Sequence, residues 1–206
     1  AVIKMITDVL KSAPISYVKW DMNRNMTEIG STAWPAKKQK EIAHRYMLGL
    51  YKILENITSN FPNILFESCS GGGGRFDGGM LYYMPQTWTS DDTDAIERLM
   101  IQEGTSLVYP TSSMGSHVSA VPNHQVHRST PLNTRGVVAM AGSFGYELDV
   151  TKMNEEEKEE VKKQVEFYKN IRSTVQFGDL YRLKSSFDSN EAAWMNLSKD
   201  GKEVVV

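Results

Sequence analysis

The chain has 206 residues, 40% of them hydrophobic and 23% charged, with a formal charge of -2 and a pI near 6.1. That balance suits a globular protein long enough to bury a sizeable core, and it lacks the basic face that a nucleic-acid partner needs. No run approaches the roughly 18 apolar residues of a membrane span, no secretory signal opens the chain, and the lone Cys69 excludes an internal disulfide, all of which points to a cytoplasmic protein.

The first residues, AVIKMITDVLKS, read as a helix already under way, and the last, GKEVVV, as a strand beginning without a partner. Both ends suggest a segment of a longer protein. Strand ISYVKW (15–20) comes next, then a helix over 36–58 in which Ile42, Tyr46, Leu50, Ile53 and Ile57 keep helical spacing. Pro62 precedes strand NILFESC (63–69), and a glycine-rich loop leads through MLYYM to strand PQTWTS (85–90). Helix DAIERLMIQEG and strand TSLVYP (105–110) follow. After a long loop come helix TRGVVAMA (134–141), strand FGYELDV (144–150) and a charged helix over 154–176. Five strands, each followed by a helix, predict parallel βαβ units and an α/β fold. Beyond Phe177-Gly178 the pattern changes to short strands, LYRLK, AAWMNLS and EVVV, which places a boundary between residues 1–177 and a β-domain over 178–206.

Polar residues gather where the strands end: Lys19-Trp20-Asp21, Glu67 to Gly71, and Trp88 to Asp92. Both (β/α)8 barrels and open doubly wound sheets put their chemistry at that rim, so the pattern shows where to look without choosing an architecture. Asp21 and Asp91 stand 91 − 21 = 70 residues apart. A pair of carboxyl groups is what glycoside hydrolysis uses, one attacking the anomeric carbon and one protonating the leaving oxygen. On the residues alone an ion pair of Asp21 with Lys19 or Arg24 is the simpler reading, Lys19 sharing its strand face at i, i+2. In SDDTDAIERL, Asp94 followed by Glu97 has the spacing of a helix N-cap. Asp91 and Asp92 point to opposite sides of the chain, and parity leaves open which faces a pocket.

The tract CSGGGGRFDGG fits neither phosphate-binding glycine frame, which leaves a flexible loop or a close approach of backbone to ligand. Cys69 has no base near it in sequence and reads as a small buried hydrophobe. His117, His124 and His127 fall in a predicted loop without metal-ligand spacing, which reads as a pocket wall and not a zinc site. The run NEEEKEEVKKQ is a solvated helix face.

Five stretches in order, YVKWDMNR, ESCSGGGGRFDGGML, WTSDDTDAIERLMIQ, MGSHVSAVPNHQ and TPLNTRGVVAMAGSFGYELD, resemble the bacterial α-galactosidases of glycoside hydrolase family 36, in clan D, from about Ile15 to Leu183. The resemblance implies the C-terminal half of a catalytic (β/α)8 TIM barrel, about strands 4 to 8, followed by the start of an antiparallel β-sandwich. It implies a retaining hydrolase of terminal α-galactosyl groups on raffinose, melibiose and similar oligosaccharides, with no cofactor and no metal. The full-length protein is expected to be a homo-oligomer without nucleic-acid or membrane partners. The family's nucleophile falls on Asp21 and its acid/base on Asp91; its sugar contacts fall on Lys19, Asn23, Cys69, Gly72 and Trp88. The family's upstream Trp-Asp-Asp-Gly region has no counterpart here, so the isolated segment is expected to be inactive. A galactosyl-transferring relative and a non-catalytic sugar-binding segment are the alternatives.

Overall fold

The computed structural model describes residues 1–24 and 26–206. The chain divides into two compact units, Ala1–Pro85 and Gln86–Val206.

In the first unit, helix α1 (Val2–Lys11) and strand β1 (Tyr17–Asp21) are followed by helix α2 (Ile42–Asn60), strand β2 (Leu65–Cys69) and helix α3 (Gly78–Tyr83). The predicted helix over 36–58 opens differently: Ala36–Glu41 form a 3-10 turn behind Pro35, whose ring fixes φ at -65°, and α2 proper starts at Ile42. MLYYM, read as part of a loop, lies in α3 as far as Tyr83, with Met84 as the C-cap, because the Asp77 carboxylate caps the helix start by accepting from Met80 N–H. β1 and β2 run parallel in a register that sets Lys19 opposite Glu67 and Asp21 opposite Cys69. One face is held by Leu10, Leu50, Leu54, Ile57, Phe66, Met80 and Met84. Each such side chain, fully buried, contributes about 1.5–3 kcal/mol. That core keeps the two strand ends side by side.

In the second unit, strands β3 (Gln86–Trp88), β4 (Met114–Ser119) and β5 (Ser143–Glu147) alternate with helices α4 (Ala95–Ser106), α5 (Leu132–Ala139) and α6 (Glu155–Phe177). β3–β4 and β4–β5 are parallel. β6 (Asp179–Lys184), β7 (Ala193–Leu197) and β8 (Val204–Val205) then form an antiparallel sheet. α6 starts on a full capping box between Asn154 and Glu157.

The strand predicted at 105–110 does not form. Thr105 and Ser106 end α4, and Leu107 and Val108 are 65% and 76% exposed in the turn after it. The strand of this βα unit is Met114–Ser119, inside the stretch predicted as a loop. Its small Gly and Ser residues carry little strand propensity, but they fit a position buried on both faces. Parallel strands alternating with helices, then an antiparallel sheet, make the fold a partial (β/α)8 barrel followed by the start of a β-sandwich.

Candidate active site

In the first unit the site residues cluster where β1 and β2 end. Asp21 is the last residue of β1, and the register brings Cys69 beside it. Two side chains are directed at its carboxylate. Asn23 Nδ2 donates to Oδ2 at 3.1 Å, and the Cys69 thiol makes a hydrogen bond to Asp21. Burial, and after it that bond to Asp21, push the Cys69 thiol up, while a hydrogen bond from Gly72 N–H opposes the rise. The thiol therefore stays protonated and acts as a donor.

The glycine tract makes this arrangement possible. Gly71 and Gly72 have φ of 55° and 78°, a region that disfavours any side chain. The turn they form lets Gly71 N–H donate to Asn23 Oδ1 at 2.7 Å, aiming the amide's other end at Asp21. Met22 N–H donates to Cys69 O at 3.1 Å, and Ser70 Oγ donates to Met22 O at 2.5 Å. Arg75 Nη2 donates to Trp20 O at 3.1 Å and Cys69 O at 3.3 Å. Burial lowers the Arg75 guanidinium from its ordinary value.

Lys19 forms an ion pair with Glu67, Nζ to Oε1 at 3.7 Å. Glu67, 2% exposed, was not singled out in the sequence. Its other oxygen accepts from the Tyr17 hydroxyl, and burial first, then this carboxylate, hold the phenol well above its usual range. A buried carboxylate between a lysine and a tyrosine holds the ammonium of a lysine side chain that is itself 37% exposed. The sequence signal was available: Glu67 sits in the middle of an otherwise buried strand, where an acid needs partners.

In the second unit Trp88 ends β3, 3% exposed. His117 lies on β4, not in a loop, and stacks on the Trp88 ring at 4.7 Å with 25° between planes. Its Nδ1 is 3.7 Å from Glu147 Oε2. His124 and His127 are exposed and take no part in that stack. Among the described residues no three His, Cys, Asp or Glu side chains are grouped to hold a metal.

Asp91 and Asp92 differ in the way parity could not decide. Asp91 is exposed. Asp92 is tied into the turn: its N–H donates to Ser90 Oγ and its Oδ1 accepts from Asp94 N–H, each at 3.1 Å. Asp94 is the predicted cap, accepting from Ile96 N–H at 3.0 Å and Glu97 N–H at 3.1 Å and pairing with Arg128. Thr93 is held from three sides, through Ser119 Oγ, Asn123 Nδ2 and Gln125 Oε1. The loop is pinned through its backbone, and Asp91 projects from it.

A model of the Melibiase family matches residues 1–178. The chain belongs to this family. Similar to this chain in sequence is the α-galactosidase AgaA of Geobacillus stearothermophilus, 68% identical over 205 residues, which are 100% of this chain and 28% of AgaA. Two crystal structures of AgaA variants superpose on it. One, described as a GH36 α-galactosidase in complex with raffinose, has a TM-score of 0.97 and 68% identity over 98% of this chain and 28% of that one. The other, in complex with stachyose, has a TM-score of 0.95 and 69% identity over 97% of this chain and 28% of that one. The chain thus spans little more than a quarter of these relatives.

Proposed function

We propose that the longer protein containing this chain is a retaining α-galactosidase that removes terminal α-galactosyl groups from raffinose-type oligosaccharides, with Asp21 as nucleophile and Asp91 as acid/base. The observation that carries the reading is the end of β1, where Asn23 and Cys69 both donate to the Asp21 carboxylate. Hydrogen bonds to its oxygens aim a carboxylate, as an attacking group must be aimed. Asp91 is supported over Asp92 because the Asp92 carboxylate is already an acceptor within its own turn.

The relatives support the substrate class, since AgaA variants are seen with raffinose and stachyose. They bear on the carboxylate pair as well. The aspartates substituted in those two complexes lie 548 − 478 = 70 positions apart in AgaA. Asp21 and Asp91 have the same separation, 91 − 21 = 70.

In this reading Asp21 Oδ attacks the anomeric carbon from the β face while Asp91 gives its proton to the departing glycosidic oxygen, and a β-linked galactosyl ester forms on Asp21. Asp91, now a carboxylate, takes a proton from water as that water attacks the same carbon from the α face. The ester breaks, α-galactose leaves and Asp21 is again a carboxylate. Lys19, Asn23, Cys69, Gly72 and Trp88 are the residues this reading assigns to contact with the sugar. The test is proton NMR of raffinose cleavage by the full-length protein. First-formed α-galactose supports the reading, and first-formed β-galactose contradicts it.

A further inference from the structure

Arg98 is a charged side chain in the interior of the second unit, 2% exposed, with no part in the chemistry above. A buried guanidinium is costly unless its donors are satisfied. Nη2 donates to Gly115 O at 2.7 Å, Nη1 to Ser90 O at 3.2 Å and Nε to Gln102 Oε1 at 3.2 Å. The guanidinium carbon lies 4.6 Å from the centre of the Trp88 ring. None of these hydrogen bonds goes to a carboxylate; Glu147 and Asp92 favour the cation by charge alone. What the partners share is their place in the chain. Ser90 immediately precedes Asp91, and Gly115 is the register partner of Trp88. A Cβ on Gly115 would come within 3.2 Å of both Thr87 O and Trp88 Cε3, so β4 carries glycine where strand and ring approach.

We propose that Arg98 is a positioning residue for proton transfer by Asp91, its guanidinium fixing the Ser90 carbonyl one peptide away and the plane of Trp88 with the same group. The inference rests on Asp91 being the acid/base. Burial brings the guanidinium down to about 10, which leaves it cationic at neutral pH. A lysine cannot replace it, because one ammonium cannot reach three diverging acceptors and also lie flat on a ring.

A displaced acid is felt most where protonation matters most. The comparison therefore sets raffinose, with its basic leaving oxygen, against an aryl α-galactoside whose acidic phenol needs little help. In the full-length enzyme, Arg98→Lys should lower kcat/KM for raffinose by about 10- to 100-fold. First-turnover phenol release should fall by less than about 3-fold, that step needing little acid. Gln102→Met, which removes the acceptor at Nε together with the bonds of Gln102 to Ser116 Oγ and Val138 O, should shift raffinose in the same direction by a smaller factor, and its leaving-group dependence supplies the test if Arg98→Lys does not fold. Equal losses on the two substrates, or no loss on raffinose, overturn the proposal. Asp91→Ala run alongside separates the failures. If it too shows no dependence on the leaving group, the acid/base assignment falls and this inference with it. If it does and Arg98→Lys does not, only the role of Arg98 is lost.

Discussion

The two carboxylates are mounted in opposite ways. Asp21 ends a strand, and the donors around it, Asn23 and Cys69, act on the carboxylate itself. Asp91 projects from a loop whose backbone is held by Arg98, Ser119 and Gln125, while its own carboxylate is exposed. The difference matches the proposed division of labour. A nucleophile attacks from one fixed position, so donors on its oxygens help to aim it. An acid/base gives up and takes back a proton in each turnover, so its oxygens must stay open to substrate and water. Fixing the backbone orients such a group.

The largest expected effect breaks the first half of that comparison. Asp21→Ala in the full-length protein should cut raffinose turnover by more than about 10³-fold, since no other carboxylate in KWDMNR can take its place. Near-normal turnover would remove Asp21 from the chemistry. With Asp21→Gly, added azide substitutes for the nucleophile in a single inversion, and the product is a β-galactosyl azide.

Next is the second half. Asp91→Ala should lose about 10²–10⁴-fold on raffinose. On an aryl α-galactoside the first step should be nearly normal and the second stalled for want of a base. Azide, which needs no deprotonation, then restores turnover as an α-galactosyl azide after two inversions. If Asp92→Ala gives that azide and Asp91→Ala behaves as wild type, the assignment is one residue off.

A smaller effect isolates one donor. Cys69→Ala removes a hydrogen bond to a charged group, worth about 1.5 kcal/mol, and should lower kcat roughly tenfold. Cys69→Ser keeps a donor and should lose less. Equal losses from both would mean that packing, not donation, is what Cys69 supplies.

The smallest effect concerns the frame of the second unit. The Tyr146 hydroxyl donates to Gln164 at 2.7 Å, and burial pushes it up to about 12. A folded-state value above the unfolded one, 10.0, gives stability that is full below pH 10 and is lost as pH rises toward 12. Tyr146→Phe should therefore flatten the fall in stability across that window, as measured by denaturant unfolding. An unchanged slope would contradict the burial effect.

Much of this was legible in the sequence, and the gaps have physical causes. The ends of β1 and β2 declared themselves because polar and charged residues directly abut apolar runs, and the Asp94 cap through its spacing from Glu97. β4 did not, because Gly115, Ser116 and Ser119 are small and polar yet buried, and burial on both faces erases alternation. TSLVYP misled in the opposite sense, its apolar Leu107 and Val108 being exposed at a helix end. Glu67 and Arg98 were passed over because a charged residue within a periodic segment reads as surface until its partners are known. The stack of His117 on Trp88 joins residues on neighbouring strands, a pairing that linear spacing does not encode.

The central claim is that Asp21 carries the sugar. A 2- or 5-fluoro α-galactosyl donor with a good leaving group forms the ester but slows its breakdown, so the full-length protein can be trapped, digested and sequenced by mass spectrometry. The account expects one fluorogalactosyl group per chain, on Asp21, with no label in Asp21→Ala. Label on Asp91 or Asp92, or a fully active protein that carries none, would contradict it.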